Sequence, residues 1–200
     1  ESLSARWTRT SGRVEPNPSV GAVIVRDGQL IGEGWHEFFG GPHGEIRAIE
    51  SAHGDCRGAT LYVTLAPCTG NRKKTPPCCD AVIAAGFARV VIGAEDPTQG
   101  NAAPKLEAAG IQVTSGVLEP ECRRLIAPFA KLKQQGMPWV IAKWAMTADG
   151  RIATVSGESR WISGEESRCL VHRWRNEVDA VLIGAGTARR DNPFLTCRAE

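Results

Sequence analysis

Two hundred residues, 42% apolar and 23% charged, have the make-up of an ordinary soluble globular chain with material for a real core. A net charge of +2 is too small to argue for nucleic acid or an anionic membrane surface as partner. No apolar run reaches the ~18 residues of a membrane span, and no charged-then-apolar leader is visible, so neither insertion nor export is expected.

Val20 to Val25 reads as a buried strand, Asp27-Gly28 as a tight hairpin turn, and Leu30 to Trp35 as the returning strand. Past the Gly40-Gly41-Pro42 loop, a helix is expected from about His43 to Ala52, with Ile46 and Ile49 on its inward side. Ala59 to Leu65 is strongly β-prone. Pro76-Pro77 opens a helix that Gly86 closes, the usual proline-in, glycine-out asymmetry. A strand at Arg89–Gly93, a helix at Ala102–Ala109 and a strand at Ile111–Thr114 follow. A helix from Glu119 to about Lys133 should be interrupted near Pro128. This alternation implies a largely parallel sheet with helices packed on it and an antiparallel hairpin added at the edge. A boundary falls near Gln134–Pro138. The next unit should hold a strand at Trp139–Lys143, a turn at Thr147–Gly150, a helix at about Glu165–Val178 and a strand at Ala180–Ile183. It is too small for a complete nucleotide-binding domain and reads as part of one.

Seven cysteines, Cys56, Cys68, Cys78, Cys79, Cys122, Cys169 and Cys197, are an odd number in a core-rich chain. That argues against a secreted disulfide framework and for a reducing compartment, the cytoplasm, with a subset of thiols on a metal. The subset is legible. His43-Gly44-Glu45, then Pro67-Cys68, then Pro76-Pro77-Cys78 form the H-x-E…P-C…C pattern of zinc deaminases. Two thiolates and one imidazole hold Zn²⁺ tetrahedrally and leave a fourth position open for water. A carboxylate must then carry protons, and Glu45 stands two residues from His43. Two residues are about 200° of helical rotation, yet both side chains can converge at a helix start, where they lean towards its N-terminus. Cys78 opens a helix, where a thiolate is favoured. It is preferred over Cys79, which then packs into the core. His36, His53, Cys56 and Cys122 read as structural or surface residues.

Further motifs follow in order: Pro16-Asn17-Pro18-Ser19-Val20-Gly21-Ala22-Val23, Gly32-Glu33-Gly34-Trp35-His36, Gly41-Pro42-His43, Thr75-Pro76-Pro77-Cys78 and Asp96-Pro97. Beyond the boundary stand Lys143, Asp149-Gly150-Arg151-Ile152-Ala153, Trp161-Ile162-Ser163, Gly186-Thr187 and Asp191 to Arg198. Together they resemble the bifunctional riboflavin-biosynthesis deaminase–reductase family over nearly the whole chain from Pro16. The resemblance implies an α/β fold. Residues 1–136 would be a cytidine-deaminase-like domain, a three-layer α/β/α mixed sheet, and 137–200 the N-terminal part of a dihydrofolate-reductase-like domain. It implies hydrolytic deamination of a diaminopyrimidinone carrying a phosphoribosylamino group, and NADPH-dependent reduction of the ribosyl group by the complete second domain. A homo-oligomer is compatible with it.

By the same resemblance, His43, Cys68 and Cys78 would be zinc ligands and Glu45 the proton shuttle. Asn17 would hydrogen-bond substrate, and Lys74 and Asp96 would lie near its ribose and phosphate. In the second unit Ser159, Arg175, Leu195 and Arg198 match substrate contacts, and Ala145, Trp161, Thr187 and Asp191 match NADP contacts. The chain departs from the family at Gly44, where alanine is usual, at Ala66, where glutamate is usual, and at Thr98, where asparagine is usual. Its 69–74 loop lacks the family's histidine, and its 98–108 stretch is shorter. Two other readings compete: a different nucleobase or nucleoside deaminase, and a non-catalytic zinc-stabilised assembly module. The Pro-Asn-Pro and Pro-Pro-Cys motifs with the appended unit oppose the first. Retention of Glu45 opposes the second.

Overall fold

The computed structural model describes residues 12–70 and 76–198. The chain divides into two compact units, Glu1–Trp139 and Val140–Glu200. No helix among the described residues is long and apolar enough to cross a membrane.

The first unit opens with the expected hairpin, β1 (Gly21–Arg26) and β2 (Gln29–Trp35). Asp27 and Gly28 both have positive φ, 53° and 77°, the conformation a two-residue hairpin turn demands. Then come α1 (Gly44–Ser51), β3 (Thr60–Leu65), α2 (Cys78–Ala84), β4 (Arg89–Ala94), α3 (Ala103–Ala108) and β5 (Gln112–Ser115). The sheet order is β2-β1-β3-β4-β5. β1 is antiparallel to both its neighbours, whereas β3, β4 and β5 run parallel. The expected long helix is two, α4 (Glu119–Leu125) and α5 (Ala127–Gln135), broken at Ile126. Pro128 explains the break, since it has no N–H to donate backwards and is tolerated only in a first turn.

Alternation along the strands sends Ala22, Ile24, Leu61, Val63, Val90 and Ile92 into one core with Ala48 of α1, Val82 of α2 and Leu106 of α3. A smaller cluster of Leu65, Ala94, Cys122 and Ile126 packs α4 against the sheet. Gly93 alternates to the opposite face, and a Cβ there would lie 2.3 Å from Cys122 Sγ, so α4 covers the face away from α1, α2 and α3, the three-layer arrangement expected. Where α1 sits is set by two glycines of β2. A Cβ on Gly34 would lie 2.3 Å from the backbone nitrogen of Ala48, and one on Gly32 2.6 Å from its oxygen. Only bare backbone lets the helix lie this close, and the helix carries His43 and Glu45 at its start. Gly34→Ala is expected to cost about 2–4 kcal/mol in denaturant unfolding and to weaken metal binding, because α1 must move away from β2. An unchanged midpoint would mean that the contact is not a constraint.

The second unit corrects part of the sequence reading. It contains α6 (Glu165–Glu177), as expected, and α7 (Ala185–Asp191), which was not. The expected strands at 139–143 and 180–183 are not formed. A strand exists only in a ladder, and no paired neighbour joins either run among the described residues. Their apolar side chains stand open instead, Val140 at 72% and Leu182 at 96% exposure.

Candidate active site

Three elements deliver the metal-ligand candidates to one point. His43 is the residue at which α1 begins, Cys68 follows β3 through Ala66 and Pro67, and Cys78 is the first residue of α2. His43 Nδ1 lies 3.1 Å from Cys78 Sγ and 3.8 Å from Cys68 Sγ. Ligand atoms of the three residues all fall within 4.8 Å of one another. With Zn–N near 2.0 Å and Zn–S near 2.3 Å, a tetrahedral site has N···S edges of about 3.5 Å. The donor set fits zinc in both chemistry and size. Its local support is backbone: the Cys78 N–H donates to Cys68 Sγ at 3.2 Å, and the Cys79 N–H to the Cys68 carbonyl at 3.2 Å. The hydrogen bond with Cys68, and then burial, push the Cys78 thiol above its ordinary range. Two buried sulfurs side by side are a costly anionic pair that a cation between them stabilises.

Cys79 is excluded from the set by direction. It is buried, its Sγ–H donates to the Pro67 carbonyl at 3.4 Å, and burial pushes its thiol up to about 11. Glu45, in the first turn of α1, is 3% exposed. Burial pushes its carboxyl above the usual carboxylate range, although hydrogen bonding and His43 oppose this. Among the described residues its Oε2 has no hydrogen-bond partner. A carboxylate oxygen held dry and unengaged beside a metal site is available to take a proton.

These groups open onto a cavity of about 330 Å³, the size of a small-molecule site. Asn17 and Asp96 line it together with His43, Glu45, Ala66 and Cys68, so the structure gathers five of the sequence-selected side chains. Asp96 Oδ1 also accepts from the Thr98 N–H at 2.8 Å and hydroxyl at 2.7 Å, which fixes its loop. Lys74 lies outside the described residues. The sequence reading missed His36, Gln99, Phe129 and Lys133 on the wall. Phe129 and Lys133 are four apart on α5 and share a face, a signal that periodicity held.

The second-unit candidates are less gathered. Arg175 on α6 donates to the carbonyls of Phe194 at 3.3 Å and Thr196 at 3.4 Å, which places it against Leu195. The Arg198 N–H donates to His172 Nδ1 at 3.1 Å. Trp161 lies under the Arg168 guanidinium at 4.4 Å. Thr187 and Asp191 sit on α7, and Ser159 is exposed. Of the eight, only Ala145 lines this unit's cavity of about 450 Å³, beside Lys143 and Trp174.

Comparison with known proteins agrees with this geometry. Residues 3–94 match the cytidine and deoxycytidylate deaminase zinc-binding region, and residues 138–200 match the RibD C-terminal domain. The riboflavin biosynthesis protein RibD of Aquifex aeolicus is 46% identical over 193 residues, 95% of this chain and 54% of that protein. The chain is similar to the RibD proteins over both matched stretches. The Escherichia coli RibD is 44% identical over 92% of the chain and 50% of its own length. A solved Thermotoga maritima diaminohydroxyphosphoribosylaminopyrimidine deaminase/5-amino-6-(5-phosphoribosylamino)uracil reductase superposes with a TM-score of 0.90 at 48% identity, over 98% of this chain and 58% of that one. The chain thus spans about half the length of the RibD relatives it matches.

Proposed function

We propose that residues 1–136 form a zinc-dependent deaminase domain acting on 2,5-diamino-6-(5-phosphoribosylamino)pyrimidin-4-one. The observation that carries this reading is Glu45 Oε2, buried and without a partner among the described residues, beside the convergent His43, Cys68 and Cys78. The name of the Thermotoga maritima deaminase/reductase supplies the substrate class. His43, Cys68 and Cys78 would hold a zinc ion, which would supply a water acidic enough to act as nucleophile near neutral pH. Glu45 would take one proton from the attacking water and give it to the ring nitrogen, then take the second from the hydroxyl formed on the ring carbon and give it to the departing amine. The balance is simple: a ring C–NH₂ and water become a ring carbonyl and ammonia. Asn17 and Asp96 hold the ring and its sugar, and Lys74 supplies a point charge for the phosphate.

Residues 137–200 are the beginning of the reductase domain. There Ser159, Arg175, Leu195 and Arg198 contact substrate, and Ala145, Trp161, Thr187 and Asp191 contact NADPH. Seven cysteines with no disulfide among the described residues suit a reducing compartment.

The test is ammonia release by the zinc-loaded chain from the phosphoribosyl diaminopyrimidinone, with cytidine and guanine as controls. Release from the first substrate alone is expected. Release from a control alone would leave the zinc chemistry standing and overturn the substrate, and silence on all three would favour a non-catalytic zinc module.

A further inference from the structure

We infer that Lys133, carried on α5, is a phosphate-reading residue of the cavity wall, which makes the site select phosphorylated over unphosphorylated pyrimidines. The phosphoryl group in this assignment rests on the deaminase reading above; the place of the cation does not. α5 begins after the break at Ile126, a buried residue packed with Leu65, Ala94 and Cys122. Phe129 and Val20 pack against the same cluster, and Phe129, Val20 and Leu65 all line the cavity. Ile126 and Phe129 therefore seat the helix on the cavity wall. Lys133 stands four residues past Phe129, one turn further along the same face, and lines the cavity as well. Lys131 is turned another way. Two residues are about 200° of helical rotation, and its ammonium lies 5.7 Å from the centre of the Trp139 ring.

The charges around the cavity give this lysine its role. Among the described residues, Lys133 is the one lysine or arginine on the wall, and it has no ion-pair partner there. The carboxylates of the wall belong to Glu45 and Asp96. A zinc ion held by two thiolates adds no net charge. A phosphate monoester carries about −1.5 to −2 charges at neutral pH, and carboxylates alone would repel it. Lys133 supplies the opposite sign, beside the charge proposed for Lys74. A lysine suits the rim of a cavity. Its ammonium is a compact charge with three donors on a flexible four-carbon stem, so it can follow a phosphoryl group and give charge-assisted hydrogen bonds. Lys133 is exposed, so a substrate without the phosphoryl group leaves the ammonium in water at no cost. The discrimination therefore falls on binding and not on the chemical step.

The test compares the zinc-loaded parent with Lys133→Met, which keeps the length of the stem and removes the charge, and with Lys133→Arg, which restores the charge. On the phosphoribosyl diaminopyrimidinone, Lys133→Met should raise KM about tenfold and leave kcat within about twofold, and Lys133→Arg should stay within a few-fold of the parent. On the same pyrimidinone with an unphosphorylated ribosylamino group, parent and Lys133→Met should have equal kcat/KM. An equal loss on both substrates would make Lys133 a support of the wall, and an unchanged KM on the phosphorylated one would remove it from recognition. Either result sinks the inference. A second arm needs no turnover. In titration calorimetry, ribose 5-phosphate should bind the parent about tenfold more tightly than Lys133→Met, and ribose should not distinguish the two. Equal affinity of ribose 5-phosphate for both chains, or binding to neither, would overturn the assignment even with ammonia release intact. If the parent releases no ammonia while ribose 5-phosphate still binds through Lys133, the deaminase reading falls and the anion site stands.

Discussion

Glu45→Gln is expected to retain zinc at one per chain and to lower ammonia release about 10²- to 10⁴-fold. The substitution keeps shape and removes one capacity. A glutamine amide can donate or accept a hydrogen bond, but it cannot accept a proton at Oε2 and return it. In the native chain that oxygen is buried and has no partner among the described residues, and desolvation holds the carboxyl above its usual range, nearer the neutral pH at which a shuttle works best. Such an arrangement costs stability, because an ionisable group kept dry would be better solvated when unfolded. The variant should therefore be no less stable than the parent in thermal unfolding. Zinc content by elemental analysis, turnover and unfolding on one preparation check all three. Turnover within a few-fold of the parent would remove Glu45 from the mechanism. Lost zinc would make it a support of the metal site.

The first unit was legible because its signals are local. Val20 to Trp35 alternates and carries its own turn, His43 and Glu45 lie in one helical turn, and Pro77-Cys78 announces a helix start in adjacent residues. Convergence of His43, Cys68 and Cys78 was inferable only as a pattern, since their distances depend on how α1 and α2 seat on the sheet. The buried position of His36 was not legible at all. Its bond to Asn17 spans 19 residues and exists because Gly21 pairs with Trp35, bringing the two strand ends together. Read alone, a histidine after a strand is a bland residue. Phe129 and Lys133 were missed for a related reason, because a helix face says that two residues are neighbours and not what they face.

The second unit failed where tertiary pairing outweighs propensity. Trp139–Lys143 and Ala180–Ile183 are β-prone, but a strand without a hydrogen-bonded neighbour gains nothing from that preference. The helix at Ala185–Asp191 went unread because glycines at 184 and 186 mask its start.

Cys78→Ser is expected to weaken zinc binding more than about a hundredfold, while Cys79→Ser keeps the metal. The two residues are neighbours in sequence and opposites in direction. Cys78 Sγ lies 3.1 Å from His43 Nδ1, and its own N–H bonds the Cys68 sulfur. A serine there presents a hydroxyl that does not ionise at neutral pH, so one of two anionic ligands is lost. Cys79 donates to the Pro67 carbonyl, away from the triad, and with its thiol pushed up to about 11 it is protonated at neutral pH. Thiolates bind zinc and buried neutral thiols do not. A serine at 79 can keep the bond to Pro67 and lose only apolar packing, at a cost of about 1 kcal/mol. Because metal that binds only the folded state stabilises it by mass action, added zinc should raise Tm in Cys79→Ser and in the parent, and leave Cys78→Ser nearly unmoved. The opposite pattern would shift the ligand by one residue, and with it the direction in which α2 presents its first turn to the cavity.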